Sequence, residues 1–151
     1  MWIFWILTAM ISLTGYFAMG AQGQAPELSA AASADLARNM SVYRAAVLAY
    51  AAEHPAHSGA VPDSVLVFPS WYRRHPAWAS IVDGRTVVVF ATQRLPGDVV
   101  SDLMVLARNS LLVGVADAQR RVLVSPLHGD TALALPPGVP DGVPVWLGMV
   151  G

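Results

Sequence analysis

The first two dozen residues constrain this chain more than any other stretch. Between Trp2 and Gly20 no side chain is charged, and the first acidic or basic residue is Glu27. At ~1.5 Å of rise per residue that run would make a helix about 28 Å long, close to the ~30 Å hydrocarbon core of a bilayer. Ile3, Phe4, Ile6, Leu7, Ile11, Leu13 and Phe17 each favour insertion by roughly 0.3–0.6 kcal/mol, about 3 kcal/mol together. Trp2, Trp5 and Tyr16 stand where aromatic rings meet headgroups. The sequence therefore predicts a transmembrane anchor over residues 1–21, a hinge over 22–26 set by Gly23 and Pro26, and one domain over 27–151. A cleaved export signal is the alternative. Ala21, Gly23 and Ala25 suit a cleavage site, but the basic start of such a peptide is missing, since the first Arg is Arg38. A soluble core helix is the third reading.

Composition removes several chemistries. A net charge of −1 with 13% charged residues offers no basic patch for nucleic acid. All nine basic residues are Arg, so Schiff-base, Walker-loop and Ser-Lys chemistries are excluded. With no Cys there is neither a disulfide nor a thiolate nucleophile. The length leaves room for a single domain after the anchor, and its Ala, Val and Leu content argues for a packed core.

From Glu27 to Glu53 the chain is rich in helix formers. Leu36, Met40, Tyr43, Val47 and Tyr50 draw one apolar stripe along that helix, with Val42 and Leu48 lying off it as candidates for a second contact. His54-Pro55 ends the helix. A loop over 56–64 precedes candidate strands at Val65–Phe68 and Ala79–Val82. Asp83-Gly84 predicts a tight hairpin into Thr86–Ala91, whose continuous apolar run places it centrally in a sheet. Pro96-Gly97-Asp98 predicts the start of a short helix reaching about Ala107, with the Asp98 side chain as its cap. Leu111–Val115 and Arg121–Ser125 read as a second hairpin around Asp117–Arg120. Four prolines between Leu135 and Pro144 favour an extended connection, and Val145–Val150 is a final docked strand.

Candidate chemistry is sparse. His54 and His57 have a spacing that could suit a metal, but Pro55 keeps them off one helical face and no third ligand follows. The serines lack a Gly-x-Ser-x-Gly setting, and Asp83, Asp98 and Asp141 sit beside glycines in turns. Pro69–Trp78 is the distinctive run. Trp71, Tyr72, Arg73, Arg74 and Trp78 are the residue types enriched in interface hot spots, and the alternative is a loop tucked on the sheet with its Trp in the core.

In these residues the chain resembles the PilM family of conjugative thin-pilus (type IVB) biogenesis proteins. The likeness runs through the apolar N-terminus, Met40–Tyr50 ending at His54-Pro55, Pro69-Ser-Trp-Tyr72, the Asp83-Gly84 hairpin and Leu123-Val-Ser-Pro126 before a proline-rich end. It implies an inner-membrane component of the pilin transport apparatus or pilus base. A pilin or pseudopilin is the competing reading, but a basic leader ending in Gly and an acidic residue just inside the first helix are both missing.

The expected molecule is thus an α+β protein: an N-terminal transmembrane helix, one long amphipathic helix packed on an antiparallel sheet, and a second short helix. The expected role is a non-enzymatic, single-pass inner-membrane component of a pilus or secretion apparatus, with its C-terminal domain in the periplasm. It needs no cofactor or metal and works through other assembly proteins, with self-association open. A small exported hydrolase, or a lipid-binding domain with an apolar cavity, are the other classes. The hydrolase would need His54, His57 or His128 beside a serine or carboxylate, and the lipid-binding domain a large apolar hollow.

Overall fold

Alanine-rich sequence with apolar residues at three- and four-residue intervals should coil and bury one stripe, and it does. The structure, a computed structural model, describes residues 29–95 and 98–151; helix α1 covers 29–53 of these. The expected anchor at 1–21, the hinge at 22–26 and the Pro96-Gly97 turn lie outside the described residues. Among the described residues no helix is long and apolar enough to cross a membrane. The chain divides into Met1–Ala32 and Ser33–Gly151, and the architecture below is that of the second unit.

Ser33, Ala37, Met40, Tyr43, Val47 and Ala51 form the buried stripe of α1. Met40, Tyr43 and Val47 are those expected from the periodicity; Leu36 and Tyr50 lie half-buried at its flank, because Ala37 and Ala51 bring the backbone close to the sheet. Burying each of the three larger side chains contributes about 1.5–3 kcal/mol. The helix stops at Pro55 as predicted, with the His54 amide bonded to the Tyr50 carbonyl at 3.0 Å.

Among the described residues seven strands form one antiparallel sheet in the order β1-β2-β3-β7-β4-β5-β6. They are β1 (Gly59–Ala60), β2 (Trp78–Asp83), β3 (Thr86–Ala91), β4 (Val113–Asp117), β5 (Val122–Ser125), β6 (Gly129–Ala134) and β7 (Pro144–Met149). Helix α2 (Val99–Leu106) lies between β3 and β4 in the chain. Register shows which face α1 covers. The Tyr43 hydroxyl lies 3.4 Å from Ser80 Oγ, the Arg44 guanidinium lies over the Trp146 ring at 4.8 Å, and pairing aligns Ser80 with Val89 and Val89 with Trp146. Trp78, Ser80, Val82, Val87, Val89, Trp146 and Gly148 therefore face the helix.

Strand β3 has the predicted bounds and is buried from Val87 to Ala91 between β2 and β7. The hairpin before it is shifted by one residue. Asp83 pairs with Thr86, so Gly84 and Arg85 make the turn, and only Gly84 has positive φ (59°), the type II′ pattern rather than type I′. The expected strand at Val65–Phe68 is absent. Asp63–Val65 is a 3₁₀ turn instead, and prolines at 62 and 69 remove amide donors at both ends of the segment. Leu66 is buried and Val67 is 88% exposed, while Phe68 packs between Tyr43 and Tyr72 at ring distances of 5.9 and 4.9 Å. The loop expected over 56–64 carries the short strand β1.

Helix α2 matches its expected span, but the Asp98 side chain makes no cap bond. Asp102, one turn on, accepts a 2.6 Å bond from the Ser33 hydroxyl and ties α2 to α1. Strand β4 begins two residues later than expected. The turn after it is held by Asp117, which accepts from the Arg120 amide at 2.9 Å and from its Nε at 2.7 Å, holding the Asp117 carboxyl below its usual range. Strand β6 was not expected at all. It bulges against β5, with Ala132 at φ 54° and Thr131 Oγ1 bonded to the Leu123 carbonyl at 2.7 Å, so this outer edge is blunted against further pairing.

Candidate functional site

Asparagine is a poor helix former, and Asn39 stands inside the alanine-rich α1. It organises the Pro69–Trp78 loop. Its Oδ1 accepts from Trp78 Nε1 at 2.8 Å, from the Tyr72 hydroxyl at 2.9 Å and from the His75 amide at 3.2 Å. Its Nδ2 donates to the Arg73 carbonyl at 2.7 Å. A second set of bonds holds the loop from the sheet side. Arg74 lies 5.5 Å over the Tyr43 ring, its Nε is 2.9 Å from Asp63 Oδ2, and its guanidinium also reaches the Trp78 carbonyl. The Ser80 carbonyl two residues on receives the Val61 amide, so Arg74 takes the place where the β1 ladder stops. Asp63 Oδ1 accepts from the Tyr43 hydroxyl at 3.1 Å. Burial raises the Tyr43 hydroxyl above its ordinary pKa and pushes Tyr72 up to about 12, so both stay neutral donors at any physiological pH.

These bonds sort the sequence candidates into two groups. Trp78 is fully buried and Tyr72 nearly so, and their aromatic mass belongs to the core. Arg74 is half-buried and committed to Asp63 and the main chain. Trp71 is 70% exposed and Arg73 is exposed, held outward by a loop whose neighbours are fixed. Of the off-stripe pair, Leu48 is spent inside the domain, because its Cδ2 would meet a Cβ at Gly148 at 2.8 Å. Val42 joins Trp71, Tyr72 and Arg73 with Asp35, Arg38, Asn39 and Ser41 in one open cleft of about 400 Å³ between α1 and the loop. The structure thus brings together Val42 and Trp71, which sequence singled out for separate reasons.

Asn39 and Asp63 were missed by sequence reasoning. The signal for Asn39 was a polar, helix-weak residue beside the apolar stripe; Asp63, in a polar loop, gave none. The histidines bond close to home. His54 Nδ1 is 2.9 Å from the Tyr50 carbonyl, His57 Nδ1 is 3.5 Å from the Tyr50 hydroxyl, and His128 Nε2 is 3.1 Å from the Asn109 carbonyl. Because Trp71 projects from a loop held by other residues, Trp71→Ala is expected to change unfolding free energy by less than about 0.5 kcal/mol in a urea titration.

The PilM family model matches residues 8–147. The chain belongs to the PilM family. A solved structure of a putative PilM protein from Escherichia coli B7A is similar over 79% of this chain and 93% of its own, at 22% identity and a TM-score of 0.57. It shares the PilM fold. A putative PilM protein from Pseudomonas aeruginosa 2192 is 29% identical over 78% of this chain and 97% of its own, with a TM-score of 0.46. No curated protein matches the chain. Membership of the PilM family makes this a pilus-related protein.

Proposed function

We propose that this chain is a non-enzymatic component of a type IVB or conjugative pilus assembly apparatus, held at the inner membrane by residues 1–21 and acting through protein contacts at the α1–loop cleft. The observation that carries the reading is an exposed Trp71 beside an exposed Arg73, on a loop fixed to α1 through Asn39. An aromatic anchor and a cation presented on a rigid frame lose little side-chain entropy when a partner covers them. Family membership supplies the setting, and the uncharged run from Trp2 to Gly20 supplies the tether. The domain then faces the periplasm, with other pilus-assembly proteins as its partners.

The test is co-purification from membranes of cells making the pilus. Trp71→Ala with Arg73→Ala is expected to reduce recovery of assembly proteins at least about tenfold, the effect of losing more than ~1.4 kcal/mol at a hot spot. Recovery equal to wild type, with the variant folded and in the membrane, would sink the proposal.

A further inference from the structure

The face of α1 turned away from the sheet carries Asp35, Arg38, Val42, Ala45, Ala49 and Ala52, spaced 3, 4, 3, 4 and 3 residues apart. That alternation keeps a ridge on one side of a helix as seams between paired helices do. All six are exposed except Val42, which is half-buried. The outer face of a surface helix is ordinarily polar. Here Ala45, Ala49 and Ala52 leave the backbone nearly bare over two turns, where another helix could approach closely.

Charge selects the occupant. Arg38 lies at one end of the ridge and Arg73 lines the same cleft, while Glu53 lies exposed at the other end. Fifteen residues of helix separate Arg38 from Glu53, about 22 Å at ~1.5 Å per residue. Arg38 is joined to Asp35 only at 3.8 Å, with both side chains about three-quarters exposed (74% and 78%), a pairing of little worth. Among the described residues Arg73 has no ion-pair partner. A parallel pair of α1 helices would stack Arg38 on Arg38 and Glu53 on Glu53. An antiparallel pair sets Glu53 of each copy against Arg38 and Arg73 of the other, and does so twice by symmetry.

We propose that two copies of this chain associate through α1, antiparallel about a two-fold axis at Ala45 and Ala46, with Val42 of one copy on Ala49 of the other and Glu53 closing the Arg38–Arg73 end of the cleft. This goes beyond the reading above, adding a second copy along α1 to the assembly proteins that Trp71 meets, and it rests on that cleft being a protein-contact site.

The chain has no cysteine, so single cysteines report contacts cleanly in the full chain purified in dodecyl maltoside. Ala45→Cys, beside the axis, is expected to give a covalent dimer on mild oxidation, because a disulfide requires Cα atoms about 4.4–6.8 Å apart. Leu127→Cys, in the 61% exposed turn after β5, is the control expected to stay monomeric. Arg38→Glu and Glu53→Arg should each weaken dimerisation roughly tenfold, and the double variant should restore it. Cross-linking of Ala45→Cys no greater than that of Leu127→Cys, or a double swap that fails to rescue, overturns the dimer. If that happens while Trp71→Ala with Arg73→Ala still loses the assembly proteins, the contact reading stands and only this occupant is wrong; if neither effect is seen, both fall.

Discussion

Replacing Asn39 by alanine is expected to destabilise the Ser33–Gly151 unit by about 3 kcal/mol, the largest effect of any single polar truncation near the cleft. The reason is the number of groups orphaned at once. Trp78 Nε1 sits on a fully buried ring and has Asn39 Oδ1 as its acceptor, and the Arg73 carbonyl loses its Nδ2 donor. The Tyr72 hydroxyl keeps only the main-chain carbonyl of residue 39, at 3.1 Å. A buried group stripped of its partner costs about 1–3 kcal/mol, while a satisfied hydrogen bond contributes only about 1 kcal/mol net. The penalty therefore comes from what is left behind. In a domain of this size 3 kcal/mol lowers the melting temperature by about 10 °C. Trp78→Phe in the same background removes the orphaned donor, so the Asn39→Ala cost should fall to about 2 kcal/mol in a double-mutant cycle of urea titrations. An Asn39→Ala variant that melts with the wild type would show that the loop is held by packing alone. The Trp71–Arg73 face would then lose its rigid frame.

Elements governed by local pattern were legible in the sequence. The continuous run Thr86–Ala91 demanded a central place in the sheet and received it between β2 and β7. The stripe through Met40, Tyr43 and Val47 gave α1 its buried side; of the stripe Val99, Leu103 and Leu106 that the spacing suggests for α2, the first two are buried, while Leu106 is exposed and Met104 takes its place. Where two local signals competed, tertiary contacts decided. Val65–Phe68 reads as a strand by composition, but prolines at either end and the Tyr43–Phe68–Tyr72 ring packing draw it alongside α1 instead. Strand β6 escaped notice because Gly129-Asp-Thr-Ala-Leu-Ala134 alternates weakly, and Thr131 and Asp130 side chains replace part of its ladder.

Long-range placement was beyond local pattern. The final strand could be expected to dock, but nothing in Val145–Val150 tells that β7 would enter between β3 and β4 and join the two halves of the sheet. The cleft shows the same division. Trp71 and Arg73 were recognisable as residue types, whereas the acceptor that satisfies buried Trp78 is Asn39, distant in sequence and on another element.

Gly114→Ala is expected to cost at least about 3 kcal/mol, although only one methyl is added and the backbone there needs no unusual φ. A Cβ on Gly114 would lie 2.2 Å from the Val124 carbonyl oxygen and 2.8 Å from its carbon, so the clash is with the main chain of the neighbouring strand β5. Main chain in a ladder cannot rotate aside. Relief must come from moving β4 away from β5 or β7, which stretches the pairs Val115–Val124 and Val113–Trp146 together. Gly148 provides the comparison. Its added Cβ would approach Leu48 Cδ2 at 2.8 Å and Arg44 Nη2 at 3.1 Å, both ends of flexible side chains, so Gly148→Ala should cost only about 1 kcal/mol. The two glycines read alike in sequence, each inside an apolar strand. Guanidinium titration of both variants separates them. A Gly114→Ala midpoint no lower than that of Gly148→Ala would mean that β4 yields to the added methyl without weakening its pairing to β5 and β7, and that main-chain contact does not set the cost at this position.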